Sequence, residues 1–353
     1  MTISRTIGLY KGVHYHGPLG RPRFMVMQDP SIEDVATARL AVGADCLIAV
    51  RWYHWPQDLS NPLANARQWF YQHQGQMQQM AKLGRVIFAG YNEIAKEQAE
   101  AYAAFELERW RLMHEAGYGA GLFNFSVGTP DEATWPRYQR VLEAMTDSDV
   151  LLFHEYATDW YDLDNDWHVL RFARPEFRRY IRGKRIAVAE IGADHLDDPG
   201  LPIERRGYAG WRRFLAPEQF MLWLARFGEL YDAAAQELRA DGVTFEGAAA
   251  YQAGLPGGDW WAFDVTSIWP TVVSLYADPP PAPEPRPLLP RDETATDPAT
   301  LAEKVRWWME EATRHLEAQT VTPDRFAMQI IQDLIALDGG LLYRLENTLK
   351  GAR

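Results

Sequence analysis

The chain has 353 residues, 47% of them hydrophobic and 24% charged, a balance that belongs to a folded protein and excludes one dominated by disorder. Its formal charge of -12 argues against nucleic acid or an anionic membrane surface as partner, since both demand clustered Lys and Arg. A single cysteine, Cys46, rules out an internal disulfide and a Cys-based zinc site.

No apolar run reaches the roughly 20 residues of a membrane helix. The N-terminus lacks the charged-then-apolar pattern of a signal peptide, so a cytoplasmic location is expected, with release to a cell wall by a phage-type route as the other setting that fits. The chain carries 14 Trp, 16 Tyr and 15 Phe. That is more flat ring surface than a core needs, and sugar rings present CH faces that stack on it; an aromatic-rich core is the plainer explanation.

Short β-rich apolar runs alternate with amphipathic stretches, the pattern of parallel α/β architecture. Candidate strands run Ile7 to His14, Phe24 to Gln28, Cys46 to Trp52, Val86 to Tyr91, Gly119 to Phe125, Val150 to Tyr156, Ile186 to Ile191 and Phe245 to Gln252. Eight strands are what a closed (β/α)8 TIM barrel requires, at about 250 residues. Between them, Ser31 to Val42 begins with a capping Ser and stops at Gly43, Pro62 to Leu83 is long and Gln-rich, Glu97 to Ala116 has helical apolar spacing, and Pro217 to Ala240 is the longest amphipathic segment.

The expected organisation is a barrel over residues 1–277, a proline-rich linker over 278–297 and a helical hairpin over 298–353. Trp307, Trp308, Ile330, Ile331, Leu334, Leu341 and Leu345 give the two terminal helices apolar faces. Such a pair cannot bury itself alone. It is expected to dock on the barrel or to join two copies of the chain into a homo-oligomer.

The active site of a barrel lies at the C-terminal ends of its strands. Two carboxylates stand there: Val86 to Tyr91 runs into Asn92-Glu93, and Ile186 to Ala189 runs into Glu190. An ionised Glu closing a buried strand is costly unless paired or used; for an isolated Glu, a salt bridge at the rim would suffice. By the count above, these acids close the fourth and seventh strands.

That arrangement resembles clan A, the large clan of retaining glycosidases, with Asn-Glu at the fourth strand and Glu at the seventh. "LLFHEY", with His154-Glu155-Tyr156, resembles its sixth-strand segment, where an aromatic hydroxyl bonds the nucleophile. "AVAEIGAD" resembles the seventh, and "AAAYQAG" followed by "DWWAFDV" looks like the eighth strand and its tryptophan-bearing loop. With "GWRRF", these segments also look like uncharacterised bacterial and phage-borne glycosidase-like proteins of the clan. The resemblance spans Ile7 to Val265 and leaves the terminal helices outside it.

It implies a retaining glycoside hydrolase with a carbohydrate substrate and neither cofactor nor metal. Glu93 would be the general acid/base, its proton held near neutral pH, and Glu190 the nucleophile, bonded by Tyr156. Asn92 would contact the hydroxyl next to the reacting carbon. Other strand-end residues are expected substrate contacts: His14 with His16, Arg51, Trp52 with His54, Asn124, His154 and Gln252, with Trp261 rather than Trp260 as the stacking platform. Arg51 is the best of these, as a guanidinium beside the nucleophile. Glu155 faces away from His154 and Tyr156 by strand alternation.

Two other functions compete. One is a non-catalytic barrel that keeps its sugar cleft as a carbohydrate-binding or structural module, with the terminal helices serving assembly. The other is a metal-dependent amidohydrolase-like barrel, for which His14-Tyr15-His16 offers a His-x-His pair but the fourth and fifth strands offer neither the bridging Lys nor the His. The acidic run Asp159 to Asp166 does not have calcium-loop spacing, and Gly117 to Gly121 precedes a strand where a dinucleotide fingerprint would follow one.

Overall fold

A computed structural model of the chain describes residues 1–157, 163, 168–194, 210–254 and 258–277. All of them belong to one compact unit, Met1–Ala282. The proline-rich segment, the expected helical hairpin and most of the run Asp159 to Asp166 lie outside the described residues.

Outside the barrel, β1 (Ile3–Ser4) pairs in parallel with β10 (Tyr276–Ala277), bringing the two ends of the described chain together. Eight parallel strands then close on themselves in sequence order: β2 (Ile7–Lys11), β3 (Phe24–Gln28), β4 (Leu47–Arg51), β5 (Val86–Ala89), β6 (Gly119–Phe125), β7 (Val150–Ala157), β8 (Arg185–Ala193) and β9 (Thr244–Ala253). The chain is a (β/α)8 barrel. Its first strand stops at Lys11 and not at His14, because Gly12 to Tyr15 forms a turn closed by Tyr15 N–H donating to Gly12 O at 3.3 Å.

Around it lie α1 (Ile32–Val42), α2 (Pro62–Met80), α3 (Ala99–Glu115), α4 (Gln139–Ala144), α5 (Pro175–Ile181), α6 (Pro217–Leu238) and α7 (Trp269–Ser274). Their starts follow from capping chemistry. Ser31 and Asp34 bond each other's backbone N–H at the head of α1, and Pro62 and Pro217 occupy first-turn positions where a missing N–H costs nothing.

The strands read as unbroken apolar runs because both of their faces are buried. Tyr10, Val26, Ala49, Ile87, Leu152, Ala187 and Ala249 fill the barrel interior, while Leu9, Met25, Ile48, Phe88, Leu151, Val188 and Ala250 face the helices. Each large aliphatic or Phe side chain so buried contributes about 1.5–3 kcal/mol. Helix α6 shows the complementary pattern, burying Phe220, Trp223, Leu224, Phe227 and Tyr231 at helical spacing.

Candidate active site

A cleft of about 550 Å³ opens on the barrel, lined chiefly by residues in the C-terminal halves of β4, β7, β8 and β9 and by residues that follow β4, β5, β6, β8 and β9. Glu190 is the sixth residue of β8 and is buried, while the side chain of Glu93, four residues beyond the end of β5, is 40% exposed. Glu93, His154 and Glu190 each present one atom within 4.8 Å of the other two.

Both oxygens of Glu190 are taken. Arg51 Nη1 donates to Oε1 at 2.6 Å, and Tyr156 Oη donates to Oε2 at 2.9 Å. Arg51 is itself fixed from behind: its Nη1 also donates to Tyr10 Oη at 3.0 Å, and Tyr10 donates to Gln28 Oε1 at 2.8 Å. Tyr10 fills the barrel interior, where its ring packs edge-on against Tyr251. Its part in the site was not read from the sequence, since a Tyr inside an apolar strand looks like core.

Glu93 sits in the left-handed region at φ 50°. It is held there by its N–H donating to Asn124 O at 3.0 Å. Asn124 is left-handed too, at φ 54°, and its Nδ2 donates to Tyr91 O at 3.2 Å. Two neighbouring strand ends are thus tied together in conformations that non-glycine residues adopt at a cost of about 1–3 kcal/mol each. Beneath them Gly90 is required, because a Cβ there would lie 2.3 Å from Glu106 Oε1.

His154 links the two acids. Its Nδ1 lies 2.8 Å from Glu93 Oε1 and 3.5 Å from Glu190 Oε2. Partial burial raises the Glu93 carboxyl, but the hydrogen bond and charge of His154, with Arg51 further off, outweigh it and hold Glu93 below the usual glutamate range. This corrects the expectation of a proton held near neutral pH in the unliganded protein. The partner that matters most to Glu93 is a donor, and not the neighbouring carboxylate.

The remaining expected contacts divide. Asn92 and Trp52 line the cleft; Asn92 gives its N–H to Gln57 Oε1, and its Oδ1 is buried with no partner among the described residues. Trp52 stacks on His73 at 4.1 Å. His14 is exposed, and neither it nor His16 lines the cleft, so the His-x-His pair is not part of this site. Asn124 braces the Glu93 loop and is absent from the lining. Gln252 is fully buried and is not among the lining residues, with neither amide atom partnered among the described residues. Trp261 is 47% exposed beneath the Arg213 guanidinium, and Trp260 lines the cleft in its place.

Several lining residues were not anticipated: Tyr53, Trp55, Gln57, Tyr251 and Asp194. For the first two the signal was present as an aromatic run directly after Arg51. A metal ion among Glu93, His154 and Glu190 would have to share the space with the Arg51 guanidinium, whose charge opposes it.

No family model matches the chain, and no curated protein matches it. Among the solved structures similar to it are the following two. A crystal structure of β-glycosidase BGL167 aligns with 11% identity over 75% of this chain and 85% of its own, at a TM-score of 0.40. A mandelate racemase/muconate lactonizing protein from Paracoccus denitrificans PD1222, complexed with magnesium, aligns with 11% identity over 66% of this chain and 48% of its own, at a TM-score of 0.27.

Proposed function

We propose that the protein is a retaining glycoside hydrolase acting on a poly- or oligosaccharide, with Glu93 as acid/base and Glu190 as nucleophile. The observation that carries this reading is the spacing of the acids, which present oxygens within 4.8 Å of each other. Retention needs carboxyl groups about 5–5.5 Å apart, whereas inversion needs about 6.5–9.5 Å to admit a water between them.

The chemistry follows from the partners. Arg51 and Tyr156 orient the Glu190 oxygens, so that one can attack the anomeric carbon from below. A bound sugar covers the exposed part of Glu93, and loss of water disfavours its charge, so the carboxyl takes up a proton on binding. Glu93 then protonates the glycosidic oxygen as the C–O bond breaks and the Glu190 ester forms. In the second half, Glu93 removes a proton from water, whose oxygen displaces Glu190 and regenerates both acids. The buried Asn92 Oδ1 needs a donor, which a sugar hydroxyl supplies.

The test is turnover of a panel of aryl glycosides by wild type, Glu93→Ala and Glu190→Ala, with and without azide. Expected are near-complete loss in Glu190→Ala and, in Glu93→Ala, a stalled second step that azide rescues with retained configuration. A protein that binds the sugars equally well in all three forms and turns over none of them would be a binding module instead.

A further inference from the structure

Glu155 stands between His154 and Tyr156 on β7 and is 2% exposed on the opposite face of the strand. Among the described residues, every group bonded to it is a donor. Tyr231 Oη of α6 donates to Oε2 at 2.6 Å, and the backbone N–H groups of Leu170 and Arg171 donate as well. Next to it is a small cavity of about 10 Å³, lined by Glu155, His154, His168 and Arg171 among others. That is room for about one water.

We propose that Glu155 is a positioning residue: as a carboxylate it draws α6 and the 168–171 turn onto the back of β7, and this tension sets how His154 and Tyr156 hold the two acids. An ionised carboxylate accepts from all three donors at once. A protonated one keeps all three contacts only if Tyr231 turns its hydroxyl round to accept from it, so the tie to α6 reverses direction and loses the charge that strengthened it. His154 and Tyr156, one residue away on either side, make the 2.8 and 2.9 Å bonds to Glu93 and Glu190. A small shift of the strand is felt directly in the catalytic pair.

Among the described residues, the charged and titratable groups around Glu155 are Tyr231 on α6, His168 and Arg171 on the turn, and His154, which lines the same small cavity; its register partner on β8 is the apolar Ile191. Burial, only partly offset by the three donors, pushes the carboxyl up to about 7. The charge therefore changes in the ordinary working range. Because the folded value is raised, the stability this group contributes is present below its unfolded value of about 4.3 and is lost as pH rises through about 7.

The catalytic half of this inference rests on the glycosidase reading; the structural half does not. The experiment follows the His154 imidazole by NMR from pH 5 to 9, its signal assigned from a His154→Asn variant, in wild type and Glu155→Gln. Melting temperature and the kcat and KM for an aryl glycoside are measured in parallel. Expected is a step in the His154 signal with a midpoint near 7 that Glu155→Gln abolishes, together with a wild-type melting temperature that falls as pH rises towards that midpoint and levels off above it, a pH dependence that the Gln variant lacks. kcat should change across the same midpoint with KM unmoved. Should Glu155→Gln fold poorly, Tyr231→Phe, which removes one donor, should move the midpoint upward. A His154 signal that changes with pH identically in wild type and variants would overturn the proposal, whereas absence of turnover with the NMR step intact would overturn only the glycosidase reading.

Discussion

Tyr156 and Arg51 hold separate oxygens of Glu190, so their removal should be separable. Tyr156→Phe deletes one hydrogen bond to a charged group, about 1.5–3 kcal/mol, and kcat should fall roughly tenfold to hundredfold with little change in KM. Arg51→Lys removes the fixed guanidinium whose Nη1 serves both Glu190 and Tyr10, and a loss of about 10²–10³ in kcat is expected. The tryptophans give a contrast in binding. Trp260→Ala should raise KM roughly tenfold, the equivalent of about 1.4 kcal/mol of stacking, and Trp261→Ala should leave it unchanged. The two acids and Arg51 could be singled out from the sequence because each closes an apolar strand run. Trp260 could not be told from Trp261, since adjacent residues of a short 3-10 helix differ only in which way that turn points them. Asn124 is at a strand end as expected, but its left-handed backbone goes with an amide spent on Tyr91 O, and it is not among the residues that line the cleft.

At the scale of elements, the barrel was legible because strands buried on both faces leave unbroken apolar runs, and α1, α2, α3 and α6 because each is long enough to display its period. Helices α4, α5 and α7 were not, since six or seven residues complete fewer than two turns. What joins β5 to β6 was also hidden. Arg109 of α3 is fully buried, donates to Phe88 O at 3.0 Å and Gly121 O at 2.6 Å, and pairs with the buried Glu106 at 2.5 Å. Burial outweighs even this guanidinium and leaves the Glu106 carboxyl raised. Sequence alone shows only an i,i+3 pair that would suit a solvated helix face. Arg109→Ala should strand Glu106 and free two strand carbonyls beneath the Glu93 loop, at a cost of about 3–5 kcal/mol. Thermal or urea unfolding measures it, and a loss under about 1 kcal/mol would mean the pair is as dispensable as a surface one.

For the whole molecule, the described core and every residue of the cleft belong to the unit Met1–Ala282. A chain ending at Ala282 should therefore unfold in one cooperative transition and keep the glycosidase turnover of the full chain to within about twofold, an expectation from the self-contained barrel core. The claim beneath all of these is that Glu190 becomes covalently bonded to sugar while Glu93 manages the proton. Incubation with a 2-deoxy-2-fluoro glycoside bearing a good leaving group, followed by mass spectrometry of the digested protein, tests it most directly. One fluoroglycosyl unit per chain on the peptide that contains Glu190 is the expected result; turnover of the parent glycoside with the sugar found on another residue, or with product released in inverted configuration, would contradict it.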